Sequence, residues 1–260
     1  EISSCDWSSD VCSSDLVLTK GDGAWPQALN DLEDPPERVF GIGSRDVLRE
    51  SCISIIGARR ASPYGLSVAR LAGRVAAECG IVVVTGGAMG CDVTAARAAL
   101  DAGGKTIVVT GTGADVAYPR SSEDVFARAM ARGAVVSIES WGQTPRRYAF
   151  PKRNRIIAAL SQSILICEAG LRSGTFSTAL AAGQMNRDLY AVPGSIFSPE
   201  SMGANQLIAE GAHIIASEID LEQRISFDYG MLRMVGEGVS RQEGRILSAL
   251  MSEQIGRAHV

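Results

Sequence analysis

Aromatic residues make up 5% of this chain, and histidine occurs only twice, at His213 and His259. A core with so few rings must be filled by Ala, Val, Ile and Leu. Two histidines and no Cys-x-x-Cys pair leave no ligand set with the spacing of a structural zinc site. The six cysteines, Cys5, Cys12, Cys52, Cys79, Cys91 and Cys167, form no disulfide framework. Four lie in or beside apolar segments, where cysteine acts as a small buried hydrophobe, so a reduced, cytoplasmic chain is expected. No apolar run reaches the ~18 residues of a membrane span, and no membrane partner is expected. The acidic, Ser-rich N-terminus lacks the apolar region of a signal peptide. An excess of positive charge is missing too, since the net charge is -4. That argues weakly against nucleic acid, but global charge is a poor guide to a local patch.

The 260 residues suffice for one large domain with small appendages. Both ends look foreign to it. Residues 1–16 and 253–260 carry no periodicity and resemble translated sequencing-adapter read-through, so a non-native leader and tail are expected there. Residues 17–50 read as a lead-in of short helix and turns. From residue 51 to 218 the pattern is strand, glycine turn, helix, repeated. CISIIG, IVVVTGG, TIVVTGTG, AVVSIES, SILICEAG and DLYAVPG are near-continuous apolar runs, the mark of strands covered on both faces. The helices between them predict an α/β fold of extended Rossmann-like build, with a largely parallel sheet of six or seven strands and helices on both faces. RIIAALS, 155–161, reads as a helix remnant after the basic segment, and HIIAS, 213–217, as a last short strand. Residues 219–252 read as a linker followed by the start of a truncated winged helix.

Every glycine turn falls at the carboxyl end of a strand, where open α/β sheets bind their ligands. In GARRASPYG, 57–65, Arg59 and Arg60 carry fixed charge, and Ser62 either caps the helix or donates to an anion. The strict G-x-G-x-x-G fingerprint and its ribose-binding acid are absent, which disfavours a dinucleotide. In TGGAMGCD, 85–92, Gly86 and Gly87 either admit a ligand to the backbone or only shape a turn, and Asp92 is expected to cap the helix. The lysine of a P-loop is missing. Tyr118 is equally readable as a base-stacking ring or a packed one. The densest signal is RRYAFPKRNR, with Arg146, Arg147, Lys152, Arg153 and Arg155 interleaved with Tyr148 and Phe150, and with Asn154 among them. Cations alternating with rings suit a single strand, whose bases stack while its phosphates pair. In EAGLRSGTFSTA, Ser173, Gly174 and Thr175 open a helix as a further anion pocket with Arg172, and Glu168 is expected to orient an arginine. Ser201 and Asn205 are candidate donors from the loop after the DLYAVPG strand. His213 reads as a core or edge residue. No catalytic residue, metal or cofactor is expected.

Taken together and in this order, IIGARRASPYG, TIVVTGTGADVAYPR, SIESWGQTP, FPKRNRIIAALS, EAGLRSGTFSTA and VPGSIFSPESMGANQLIAEGA resemble the bacterial DNA-processing protein A (Smf) family over about residues 24–218. The resemblance implies an extended Rossmann fold without enzymatic activity. It also implies a homodimer that binds single-stranded DNA and helps load the RecA recombinase in natural transformation. Arg59, Lys152, Arg153 and Asn154 match the family's motifs most closely, and GRILSAL resembles the opening of its C-terminal winged helix. One departure stands out. The second loop carries Met89 where the family usually has arginine, and it lacks the histidine that usually follows, leaving Arg97 as the nearest substitute charge. The rival reading is a phosphoribohydrolase-like enzyme on a related fold, but that pattern needs paired glycines that EAGLRSGT does not have.

Overall fold

A computed structural model describes residues 15–231. The core of the molecule is a nine-stranded sheet in the order β1-β2-β6-β5-β4-β3-β7-β8-β9. The strands are β1 (Asp15–Thr19), β2 (Arg38–Gly43), β3 (Cys52–Ile56), β4 (Val82–Thr85), β5 (Thr106–Val109), β6 (Ala134–Ser137), β7 (Ser163–Ile166), β8 (Asp188–Ala191) and β9 (His213–Ile214). From β6 across to β9 all seven are parallel, as the unbroken apolar runs predict. The helices are α1 (Pro63–Glu78), α2 (Cys91–Asp101), α3 (Glu123–Arg132), α4 (Ala149–Leu160), α5 (Thr175–Gln184), α6 (Met202–Ala209) and α7 (Glu218–Tyr229). Among the described residues, no helix is long and apolar enough to cross a membrane.

Strand alternation divides the core. Ile53, Ile55 and Val83 point to α1, α2 and α7, while Cys52, Ile56, Val82 and Val84 point to the α4 and α5 side. Val108 and Val135 meet Phe126 of α3 in a third cluster. Burying each such aliphatic side chain contributes about 1.5–3 kcal/mol. The first helix starts where its chemistry dictates: Ser62 Oγ accepts from Gly65 N at 3.1 Å, and Pro63 occupies the first turn, where its missing N–H costs nothing.

Three elements differ from the sequence reading. The lead-in contributes two antiparallel strands: β1 pairs with β2, and β2 with β6, so the sheet runs two strands beyond its parallel part. Asp15 and Leu16, which fall within the expected leader, belong to β1. Trp25, Leu29 and Leu32 bury themselves against the α4 side of the core. The helix expected from Arg155 starts earlier, because α4 begins at Ala149 and takes in Phe150 to Arg155 of the basic stretch. Pro151 is accommodated in the first turn, where no intrahelical bond is lost. The linker-like 219–229 is helical in α7, which is capped by Ser217 and closed by Gly230 in the left-handed region. The winged-helix start expected at GRILSAL, and the expected tail, lie outside the described residues.

Chain order moves outward from β3 through β4, β5 and β6, then returns across the sheet to β7, β8 and β9 on the other side. Two crossovers therefore leave in opposite directions from β3 and β7, which opens a crevice at their carboxyl ends.

Candidate functional site

A cavity of about 680 Å³ fills this crevice. Its walls come from the loop after β3 (Gly57, Ala58, Arg59, Arg60), from Ala88 and Asp92, and from Arg153 and Asn154 of α4. The loop after β7 adds Gly170, Arg172, Ser173, Gly174 and Thr175, and the loop after β8 adds Pro199 and Glu200. Four arginines thus face two carboxylates, so the cavity is cationic within a chain of net negative charge.

The arginines are not equivalent. Arg59, Arg60 and Arg172 are exposed, whereas Arg153 is only 5% exposed. Its Nη1 donates to Val109 O at 3.3 Å, and its Nε is buried without a hydrogen-bond partner. Burial pulls this guanidinium below the usual arginine range; Asp92 opposes that shift and Arg59 adds to it. The Phe150 ring lies between two of the cations, with Arg59 Cζ 5.5 Å and Arg153 Cζ 5.8 Å from its centroid. Tyr118 is 43% exposed, with its ring tilted against that of Phe150 at 6.0 Å between centroids.

Asp92 does not cap α2, whose N-cap is Gly90. Its buried carboxylate turns back to accept from Gly57 N at 3.3 Å and Gly86 N at 3.2 Å, tying the loops after β3 and β4 together. Burial pushes its carboxyl above the ordinary range; Arg153 and the N–H groups of Gly57, Ala88 and Gly86 pull it back. Gly86 is glycine because a Cβ there would collide with the Arg153 guanidinium and come within 2.8 Å of Asp92 Oδ2. Gly87, at φ +66°, packs under Phe126. Neither glycine lines the cavity.

Glu168 orients no arginine. It is 2% exposed, and its Oε2 accepts from Ser62 N at 2.7 Å while its Oε1 accepts from Ser62 Oγ at 2.5 Å. Its carbonyl accepts from Ala58 N at 2.8 Å. One residue therefore holds both ends of the short segment that carries Arg59 and Arg60. Its carboxylate also occupies the α1 N-terminus, the place where such folds usually receive a phosphate. Gly65 leaves the room for it, since a Cβ there would sit 2.6 Å from Oε2. Ser62 is consequently committed to Glu168 and to its own helix.

The structure brings together Arg59, Arg60, Arg153, Asn154, Ser173, Gly174 and Thr175 of the expected contacts. Asn154 Nδ2 donates to Ser177 Oγ at 2.7 Å and Gly174 O at 3.3 Å, fastening α4 to the loop after β7. Helical periodicity separates the remaining cations of the basic stretch. Lys152 is exposed with its Nζ 5.5 Å from the Tyr148 ring, Arg146 and Arg147 are exposed before α4, and Arg155 lines a smaller cavity with Asp31 and Glu33. Ser201 is buried beneath Gly194, and Asn205 is engaged with both Gly194 N and Gly194 O at 3.0 Å. Arg97 supplies no charge to the site, because it forms two hydrogen bonds to Asp124, at 2.7 and 2.8 Å. Met89 is 49% exposed. His213 lies on the edge strand with its ring 5.5 Å from that of Tyr190. Pro199 and Glu200 were not anticipated; the available signal was their place between a strand end and a helix beside the crevice. Among the described residues, no group of His, Cys, Asp or Glu is arranged to hold a metal ion.

The family model described as DNA recombination-mediator protein A matches residues 16–226. DNA processing protein DprA of Streptococcus pneumoniae is 37% identical over 207 residues, covering 79% of this chain and 73% of the relative. Protein Smf of Synechocystis is 34% identical over 92% of this chain but only 59% of its own length. A solved structure reported to show the single-stranded DNA binding mode of DNA processing protein A from Helicobacter pylori superposes with a TM-score of 0.75 at 30% identity. That match covers 83% of this chain and 97% of the other.

Proposed function

Because this chain belongs to the DNA recombination-mediator protein A family, we propose that it binds single-stranded DNA in the cavity between β3 and β7, with no turnover. The observation that carries this reading is the cationic cavity itself, where Arg59 and Arg153 flank an aromatic ring and Arg60 and Arg172 stand at the rim. Guanidinium groups pair with phosphates, and rings stack on bases that are not held in a duplex. The relative from Helicobacter pylori, reported as a single-strand binder, supports the same ligand.

In this reading the protein works in the cytoplasm on DNA taken up during natural transformation, protecting the strand and helping to load the RecA recombinase. The family's description as a recombination mediator supports that role. It acts as a homodimer. Support comes from Ile214, 44% exposed on β9, the edge strand of the sheet among the described residues, a place where a second copy can extend the sheet.

Titration of fluorescent oligo-thymidine at several salt concentrations tests the binding. Three exposed arginines meeting phosphates give a log–log salt slope of roughly -2. Arg59→Ala weakens the affinity and leaves the melting temperature unchanged. Absence of binding at low salt refutes the reading, and release of free base from a nucleoside monophosphate would replace it with a phosphoribohydrolase.

A further inference from the structure

The most exposed large apolar side chains among the described residues are adjacent in sequence: Phe197 at 89% and Ile196 at 74%. They sit in the 195–199 loop between β8 and α6, and this loop is built rather than slack. At its base Asn205 holds Gly194 through both backbone groups, and Tyr64 Oη donates to Pro193 O at 2.9 Å. Its turn is closed by Ser198 N donating to Ser195 O at 3.1 Å, and Phe197 N donates to Ser195 Oγ at 3.2 Å. The loop runs directly into Pro199 and Glu200, which line the cavity. Leu171, also exposed, belongs to the adjoining loop after β7, next to Arg172.

A fixed loop that holds two large apolar groups in water needs an occupant. The charges on the rim select it. The wall formed by the loop after β3 is cationic through Arg59 and Arg60, with Arg172 between the two walls in the loop after β7. The 195–199 side carries Glu200, with Oε2 accepting from Ser198 Oγ at 2.8 Å. A phosphodiester is drawn to the first side and repelled from the second. The uncharged, flat part of the same strand remains for the second side. We infer that Phe197 and Ile196 form a stacking lip for the bases of a single strand whose phosphates are held by the arginines, an assignment that rests on the DNA-binding reading above.

The test compares two strands with identical phosphates, oligo-thymidine and an abasic oligomer, using the full chain. Phe197→Ala weakens oligo-thymidine binding by roughly 5- to 150-fold, the range of losing one or more base stacks. It leaves abasic binding, the salt slope and the melting temperature unchanged. Phe197→Trp retains affinity, and its emission is quenched by oligo-thymidine but not by the abasic strand. Equal losses on both strands, or none on either, overturn the inference while the DNA reading stands. A change in oligomeric state by light scattering for Phe197→Ala overturns it in favour of a second copy as occupant. Wild-type protein that binds neither strand at low salt overturns both readings.

Discussion

Arg153 and Asp92 are nearly buried charges that sit on either side of Gly86, and each shifts the other's ionisation. Arg153 therefore serves the fold as well as the site. Arg153→Ala leaves the buried Asp92 carboxylate without its opposite charge and with only backbone N–H partners, a cost on the order of 3 kcal/mol. Asp92→Asn in the same chain restores part of it. The pH dependence follows from the direction of the Asp92 shift. Its folded-state pKa lies above the unfolded value, so burying the ionised form costs stability at neutral pH, and the cost disappears as acid protonates the group in both states. The gap in melting temperature between Arg153→Ala and wild type is accordingly widest near pH 7 and narrower at about pH 5. An equal gap at both values, measured by thermal melts, sinks this account.

At the level of elements, α4 turns one run of sequence into several destinations. Read along the chain, RRYAFPKRNR is a single cationic patch; wound at 3.6 residues per turn, it sends Arg153 and Asn154 to the cavity, Lys152 to solvent and Arg155 to the far side with Asp31 and Glu33. Arg172→Ala should flatten the salt slope for oligo-thymidine by about 0.7, one phosphate's worth of released counterions. Arg155→Ala should leave that slope where it is, and a fall equal to that of Arg172 would contradict the division. The parallel strands and glycine turns were legible because β-branched runs ending in glycine have few other readings. The start of α4 was not, since Pro151 reads as a break unless it falls within the first turn, where its N–H is not needed. The roles of Glu168 and Asp92 were hidden for a different reason: each acts on loops contributed by distant strands, so neither role leaves a local pattern.

For the molecule as a whole, the outer strands and the ligand edge are separate undertakings. β1 and β2 complete the sheet next to β6, with Leu16 and Leu18 buried, while the cavity lies between β3 and β7. Leu18→Ala is expected to lower the unfolding free energy by about 2–4 kcal/mol. Oligo-thymidine affinity below the unfolding transition should stay within about twofold of wild type, because four strands separate β1 from β3. A large loss of affinity in the folded variant would show that the edge strands shape the site. The carboxylate of Glu168 has a consequence at this scale. Small metabolites that carry phosphate seek the first helix of a Rossmann-like sheet, and here that berth holds an anion tethered to the chain itself. A free nucleotide aimed at the α1 N-terminus would have to evict it, at the expense of the two hydrogen bonds from Ser62. A polymer that spreads its phosphates over the rim meets no such competitor. On the single-strand reading proposed above, the site therefore discriminates by length, ignoring abundant monomers while gripping a strand.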